Sequence, residues 1–315
     1  MADLEYVDDL WMIRLDELET FSVPKLASAG SVTLDIGSHL DTLEMPVLEQ
    51  VEYLDLKGNF TKVSFGELRN VDHDLNVANR RYFDPSVEAE TTMNVSFPKL
   101  NSSESIFIIG RASSVSLPEL THLSDPWVVP YPGGSNFSLW GEAVSLDLPN
   151  LATVDGSITF EGNISSLSLP SLDNVQGNLT IIAGDSLSID IPELGYAEVI
   201  RLAGQIESVE LPGLVNWYEL HVDTDLIFDC DAFMEEYDRV PAKRVVTCQS
   251  GSGTVEESDE NNEVTSQDES SNEDSGDDTA GEQDGGDNGS ARLNGRGMGA
   301  MMAASLAVAG LIALV

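Results

Sequence analysis

The chain has 315 residues, of which 55 are acidic and 15 basic, so its formal net charge is −40. An apolar fraction of 41% is enough to bury a sizeable core, which excludes a wholly disordered chain. The charge excludes a nucleic-acid partner, because a polyanion repels the phosphate backbone. Two cysteines are too few for a disulfide-rich mini-protein or for a zinc site built from two CxxC pairs.

The N-terminus carries acidic residues from Asp3 onward and lacks the basic segment and apolar core of a secretion signal. Counting back one repeat from Pro24 places Leu4 and Leu10 at positions that are buried in later repeats. We therefore expect the chain to begin inside a repeat, with a cap and a secretion signal encoded upstream of Met1.

A phrase of 20 to 22 residues recurs over residues 1–229, as in LPNLATVDGSITF and LPSLDNVQGNLTI. A proline two residues before a leucine marks each copy: Pro24, Pro46, Pro98, Pro118, Pro149, Pro170, Pro192 and Pro212. Gly66 takes the proline position in one further copy. With the unit that precedes Pro24, the sequence predicts ten units, each with its proline at a corner.

Apolar and polar residues alternate within each unit, as around Leu179 and Ile181, which predicts strands with one buried face. Four glycines between the runs are expected in turns at positive φ: Gly162, Gly177, Gly184 and Gly204. One unit buries too little to fold alone, about 12 kcal/mol of apolar burial against about 30 kcal/mol of ordering. The sequence therefore predicts a mainly β, right-handed parallel β-solenoid, less regular than a leucine-rich-repeat horseshoe.

Residues 230–248 are expected to close the last coil as a short helical cap. Asp231 is the predicted helix N-cap. The apolar residues spaced to cover the core are Phe233, Met234 and Tyr237. A disulfide between Cys230 and Cys248 would contribute about 3 kcal/mol through closure of the loop between them, and two free thiols are the alternative.

Residues 249–290 form an acidic segment, with 14 Asp and Glu and no Lys or Arg between positions 251 and 290. Such a composition predicts a disordered, self-repelling stalk rather than a calcium site, since the D-x-[DN]-x-[DN]-G spacing is missing. Residues 291–315 are a short polar spacer followed by an uncharged apolar tail. With small residues at Asn288, Gly289 and Ser290, this order predicts attachment of a glycosylphosphatidylinositol (GPI) lipid, and a tail-anchored helix is the alternative.

Six N-x-S/T sequons lie in the body of the chain, at Asn59, Asn94, Asn101, Asn136, Asn163 and Asn178. Alternation with buried neighbours points Asn94 and Asn178 outward. Asn59 and Asn163 are either exposed acceptors or members of a buried asparagine ladder. A seventh sequon, at Asn288, coincides with the predicted anchor site.

Aromatic side chains offer the main candidates for ligand contact. Trp127 and Tyr131, in the insertion DPWVVPYPGG, either stack on sugar rings or clamp the insertion onto the solenoid. The tryptophans inside repeats, Trp11, Trp140 and Trp217, are expected in the core or as lateral cover.

Catalysis is a minority interpretation, although parallel β-solenoids can carry clustered carboxylates that cleave polysaccharides. Asp72, His73 and Asp74 come closest to such a cluster, but no partner is evident in the neighbouring unit. Neither H-E-x-x-H nor G-x-S-x-G occurs. The sequence therefore predicts no enzyme, no metal site and no cofactor.

The repeats of the form S-L-x-L-P-x-L-x-x-V-x-G-x-L-x-I, the closing CDAF…C segment, the acidic linker and the anchor signal resemble fungal GPI-anchored cell-wall organisation proteins. Repeats of that family are similar to receptor L domains. The resemblance implies a non-enzymatic glycoprotein at the outer leaflet of the plasma membrane and in the cell wall, supporting wall integrity. A surface receptor or lectin-like module that binds wall polysaccharide or a protein is the alternative, and a polysaccharide-modifying enzyme is the second alternative.

Overall fold

The computed structural model describes residues 3–13, 18–40, 42–79, 92–124, 136–237 and 244–251. Several predicted features lie outside the described residues: Trp127, Tyr131, Asn288, Gly289, Ser290, and nearly all of the acidic segment and the apolar tail.

The described residues form eighteen strands and one helix. In chain order they are β1 (Tyr6–Ile13), β2 (Thr20–Ser22), β3 (Ser28–Leu40), β4 (Thr42–Glu44), β5 (Gln50–Phe60), β6 (Lys62–Ser64), β7 (Asn70–Ala78), β8 (Met93–Ser96), β9 (Ser102–Gly110), β10 (Ala112–Ser116), β11 (His122–Leu123), β12 (Asn136–Asp147), β13 (Thr153–Val154), β14 (Ser157–Ser168), β15 (Asn174–Asp190), β16 (Tyr196–Glu210), β17 (Glu219–Thr224), α1 (Cys230–Tyr237) and β18 (Val245–Ser250).

These strands build a parallel β-solenoid, as predicted. Each strand pairs in parallel with the strand one repeat further on, so that Ile158 of β14 lies beside Leu179 of β15, which lies beside Ile200 of β16. The solenoid has about nine turns with repeats of about 22 residues, one turn fewer than the ten units counted in the sequence. β17 and β18, which lie on either side of α1 in the chain, continue the ladder beyond β16. The handedness stays a prediction.

Each full coil contributes to three ladders. β15 pairs with β16 at 174–175, again at 178–183 and again at 187–190, with register shifts between the runs. The chain therefore turns corners inside long strands instead of in separate turns. Gly177 and Gly184, which were expected at positive φ, lie within β15 and lack it, whereas Gly162 (φ 133°) and Gly204 (φ 90°) have it.

The prolines occupy the remaining corner, which confirms their predicted place. Leu172 N–H donates to the Leu169 carbonyl at 3.3 Å, and Leu194 N–H donates to the Ile191 carbonyl at the same distance. These are β-turns with proline at the second position, where its fixed φ fits the turn. The leucine that ends the turn is buried in coil after coil, as at Leu172 and Leu194. One phrase of sequence thus sets both the corner and a core contact.

A helix and a disulfide close the C-terminal coil, as predicted. Cys230 and Cys248 are bonded with an S–S distance of 2.01 Å, and the rings of Phe233 and Tyr237 are buried against the core. The N-cap is Asp229 instead of Asp231, because the helix begins at Cys230 and the Ala232 N–H donates to Asp229 Oδ1 at 2.9 Å.

Candidate functional site

Two surfaces of the solenoid carry candidate functional residues. The first, which we call the His73 cleft, is a cavity of about 550 Å³. Its lining consists of Glu52, Val71, Asp72, His73, Ser102, Ser103, Glu104, His122 and Ser124. These residues come from β5, β7, β9 and β11 and the residue after β11, so the cleft crosses neighbouring coils.

An imidazole–carboxylate pair lies at the centre of the His73 cleft. His73 Nδ1 is 2.7 Å from Glu104 Oε2, and the His73 ring stacks on Tyr53 with centroids 4.5 Å apart. The prediction that the neighbouring unit offers no partner to residues 72–74 is therefore wrong. Glu104 was missed because the coil after β7 is long: Leu75 pairs with Ile106, an offset of 31 instead of about 21.

Beside the cleft, the charged form of one carboxyl group, that of Asp74, is disfavoured. Burial raises the pKa of Asp74, the nearby Glu104 and Asp55 carboxylates raise it further, and His73 opposes them. Two other polar side chains of the lining are paired: Asp72 accepts from Gln50 Nε2 at 3.2 Å, and Ser103 Oγ donates to the His73 carbonyl at 3.0 Å. Within the described ranges, no group of three His, Cys, Asp or Glu side chains is arranged to hold a metal ion. The cleft can accept hydrogen bonds and attract cations. Several of its hydrogen-bonding groups already bond to groups on the neighbouring coil.

The second surface surrounds Trp140. It is the outer side of the second of the three ladders, the one to which residues 178–183 of β15 belong. Trp140 is 44% exposed and Trp11 67% exposed, so neither lies in the core, whereas Trp217 is buried in the core. Alternation along β12 explains the difference, because Phe137 and Leu139 point inward and Trp140 therefore points outward. Counting alternate positions along the strand from the apolar residues Phe137 and Leu139 would have predicted that Trp140 points outward.

Side chains from four adjacent strands surround Trp140. One row runs Ile109, Trp140, Glu161 and Ile182, and the parallel row runs Phe107, Ser138, Thr159 and Thr180. We call these eight residues the Trp140 strip. Its members are exposed or half-buried, and Glu161 is the one ionisable group among them.

The sequons divide by exposure. Asn94, Asn101 and Asn163 are exposed and Asn178 is half-buried, which agrees with the outward direction predicted for Asn94. The side chains of Asn59 and Asn136 are outside the described residues. The exposure of Asn163 rules out its membership of a buried asparagine ladder.

Among the residues whose side chains the structure describes, Asn79 is a buried asparagine that sequence analysis missed. Its Nδ2 donates to the Arg111 carbonyl at 2.8 Å, and its Oδ1 accepts from the Arg111 N–H at 2.9 Å. Asn79 follows Leu75 and Val77 one residue earlier than the leucine-rich-repeat phrase requires. That shortened spacing hid it from a fixed motif.

Among the described residues, no helix is both long and apolar enough to cross a membrane. The chain matches no protein-family model, no curated protein and no solved structure. The solenoid and its surfaces are therefore the basis for any proposal about function.

Proposed function

We propose that the protein is a non-enzymatic cell-surface glycoprotein, tethered by a GPI lipid to the outer leaflet of the plasma membrane and supporting the organisation of a fungal-type cell wall. The observation that carries the proposal is the Cys230–Cys248 disulfide, since such bonds persist in oxidising compartments such as the secretory lumen and the cell surface. Exposed sequons at Asn94, Asn101 and Asn163 and the resemblance of the tail to an anchor signal support the same location.

The mechanism would be presentation of a rigid surface. Parallel ladders hold their outer side chains in fixed rows, N-glycans would limit which rows a partner can approach, and the acidic stalk would keep the solenoid away from the bilayer. Recognition of a wall polysaccharide is the second candidate function, and the exposure of Trp140 favours it.

Release of the full chain from intact cells by a phosphatidylinositol-specific phospholipase tests the proposal. We expect release of a form that glycosidase treatment makes smaller, and we expect Asn94→Gln to remove one glycan. Asn150→Gln, at an exposed asparagine outside any sequon, is the matched control and should leave the mass unchanged. A cytosolic, unglycosylated chain with reduced cysteines would contradict the proposal.

A further inference from the structure

We propose that the Trp140 strip binds one extended chain of a neutral polysaccharide. This inference deepens the proposed function and rests on it, because it names the class of wall component that the solenoid would hold. It assigns recognition to the described sheet surface instead of to the Trp127 insertion.

The geometry of the strip suits a linear ligand. Its strands β9, β12, β14 and β15 are neighbours in one parallel ladder and present their side chains in register. Parallel strands lie about 4.8 Å apart, so the two rows give a straight track roughly 15 Å long across the strands. Trp140 supplies a flat ring for the apolar face of a pyranose, and the hydroxyls of Ser138, Thr159 and Thr180 can exchange hydrogen bonds with sugar hydroxyls.

The charge of the strip selects against ionic ligands. In a chain with a net charge of −40, Glu161 is the one ionisable side chain of the eight. Next to the strip in the same two rows, β7 carries the uncharged Asn76 and Ala78, and β16 carries Arg201 and Ala203. Both rows carry ionisable side chains one coil further out, with Asp55 and Lys57 on β5 and His221 and Asp223 on β17. An uncharged, hydroxyl-rich chain matches this mainly neutral stretch better than a polyanion or a polycation does.

The large apolar side chains of this surface, Phe107, Ile109, Trp140 and Ile182, are few for a protein partner or a second copy of this chain, and the rows continue with the small Ala78 and Ala203. Two rows on four strands cover roughly 200 Å², counting about 7 Å between the rows and the width of the side chains. A stable protein interface buries about 800 Å² on each partner. A single sugar chain needs no more than the strip provides.

Binding of soluble neutral hexasaccharides to the glycosylated full-length protein, measured by isothermal titration calorimetry, tests the inference. The probes are β-1,3- and β-1,4-linked glucose hexamers, with a hexamer of galacturonic acid as the charged comparison. We expect a neutral hexamer to bind, the uronic acid hexamer to bind more weakly, and Trp140→Ala to weaken neutral binding at least about tenfold.

Trp11→Ala is the matched control, because Trp11 is also an exposed tryptophan on a strand of the same ladder but lies near Asp8 and Asp9. It should leave the affinity unchanged, and Trp140→Tyr, which keeps a flat ring, should restore most of the binding. Circular dichroism of each variant separates lost binding from lost folding.

Three results would overturn the inference: no neutral hexamer binds the wild-type protein, Trp11→Ala weakens binding as much as Trp140→Ala does, or light scattering shows a dimer that Trp140→Ala dissociates. None of these results bears on phospholipase release, so the inference can fail while the proposed surface location stands.

Discussion

Asn79 joins two coils through the backbone of Arg111. Its side chain is 0% exposed and makes two hydrogen bonds to the Arg111 N–H and carbonyl. Replacing it with alanine would remove this partner of the buried N–H and open a cavity, whereas the carbonyl would keep its hydrogen bond from the Met93 N–H at 2.8 Å. At about 1–3 kcal/mol for an unsatisfied buried group, we expect Asn79→Ala to lower the free energy of unfolding by about 2–4 kcal/mol in urea titrations.

Asn150 is the natural control for this substitution. Its Nδ2 donates to the Pro118 carbonyl at 2.7 Å, but the side chain is exposed and water can replace it. Asn150→Ala should cost less than about 1 kcal/mol. Equal losses at the two positions would show that burial of Asn79 does not determine its contribution.

Asp74 makes stability depend on pH in a predictable direction. Its pKa is raised in the folded state by burial and by Glu104 and Asp55, against the opposing effect of His73. The folded protein therefore holds this proton more tightly than the unfolded chain does, and the resulting stability is lost as pH rises through the folded-state pKa. We expect Asp74→Asn to be more stable than wild type at pH 7.5.

The advantage of Asp74→Asn should vanish below the ordinary aspartate pKa of about 3.9, where the wild-type carboxyl is neutral in both states. Urea unfolding at pH 3.5 and at pH 7.5 measures the difference. Asp72→Asn, at an exposed position of the same strand, controls for the loss of one surface charge. The same difference between variant and wild type at both pH values would contradict the prediction.

The role of a residue could be predicted where the alternation of buried and exposed positions alone decides it. It could not be predicted where it depends on the number of residues in a neighbouring coil. Asn94 and the buried ring of Tyr237 follow from their local pattern. The contact between His73 and Glu104 depends on how many residues the intervening coil holds, which local pattern does not encode. Without that register, the His73 cleft could not be assembled from the sequence.

At the scale of the strand, glycine is required where coils approach each other most closely. Gly204 in β16 has a φ of 90°, and a Cβ placed on it would lie 2.2 Å from the Ala183 carbonyl oxygen of the preceding coil. Gly204→Ala must therefore strain the backbone and push the two coils apart. We expect it to lower the free energy of unfolding by at least about 2 kcal/mol in urea titrations.

Gly66 is the matched glycine for this test. No atom lies within 4 Å of a Cβ built there. Gly66→Ala should raise stability by about 0.4–1 kcal/mol, because alanine restricts the unfolded chain without a clash in the folded one. A similar loss at both glycines would mean that backbone freedom in general, and not close approach, explains the effect.

The C-terminal cap depends on its covalent bond. α1 has eight residues, too few to be stable alone, and the disulfide links its first residue to β18. On the chain-entropy account, replacing both cysteines with serine should cost about 3 kcal/mol in urea unfolding. Dithiothreitol should destabilise the wild type by a similar amount and leave the double variant unchanged; an equal response of both proteins would contradict this.

For the whole molecule, stacking between neighbours predicts that one complete coil can be removed. Phe137 pairs with Ile158, and Ile158 pairs with Leu179. Deleting residues 158–178 would place Phe137 beside Leu179 in the existing register. We expect a folded monomer with unchanged β-sheet content per residue by circular dichroism, because contacts in a solenoid are confined to adjacent coils.

Deletion of residues 158–168 is the control. It removes most of β14 and retains the Pro170 turn, so the ladder loses one strand without a replacement in register. This variant should unfold or aggregate. If both deletions fold equally well, pairing in register is not what holds neighbouring coils together.

The architecture could be predicted because the same physical requirement recurs in every repeat. The proline turn, the buried leucine and the alternating strands each reappear at intervals of about one coil. An assignment made in one repeat can therefore be checked against the same pattern in the next repeat. The ends and the long coils carry no such redundancy. That is why the true N-cap, Asp229, and the contact of Glu104 with His73 were not predicted.

The ladder also resumes its register after coils of unusual length. Leu75 pairs with Ile106 and Ile106 with Phe137, offsets of 31 against about 21 elsewhere, and the flanking strands still align residue for residue. The ladder thus already tolerates roughly ten additional residues between β7 and β9, and again between β9 and β12. Those connections are the natural places to graft a foreign epitope or reporter, which should leave the stacked coils undisturbed.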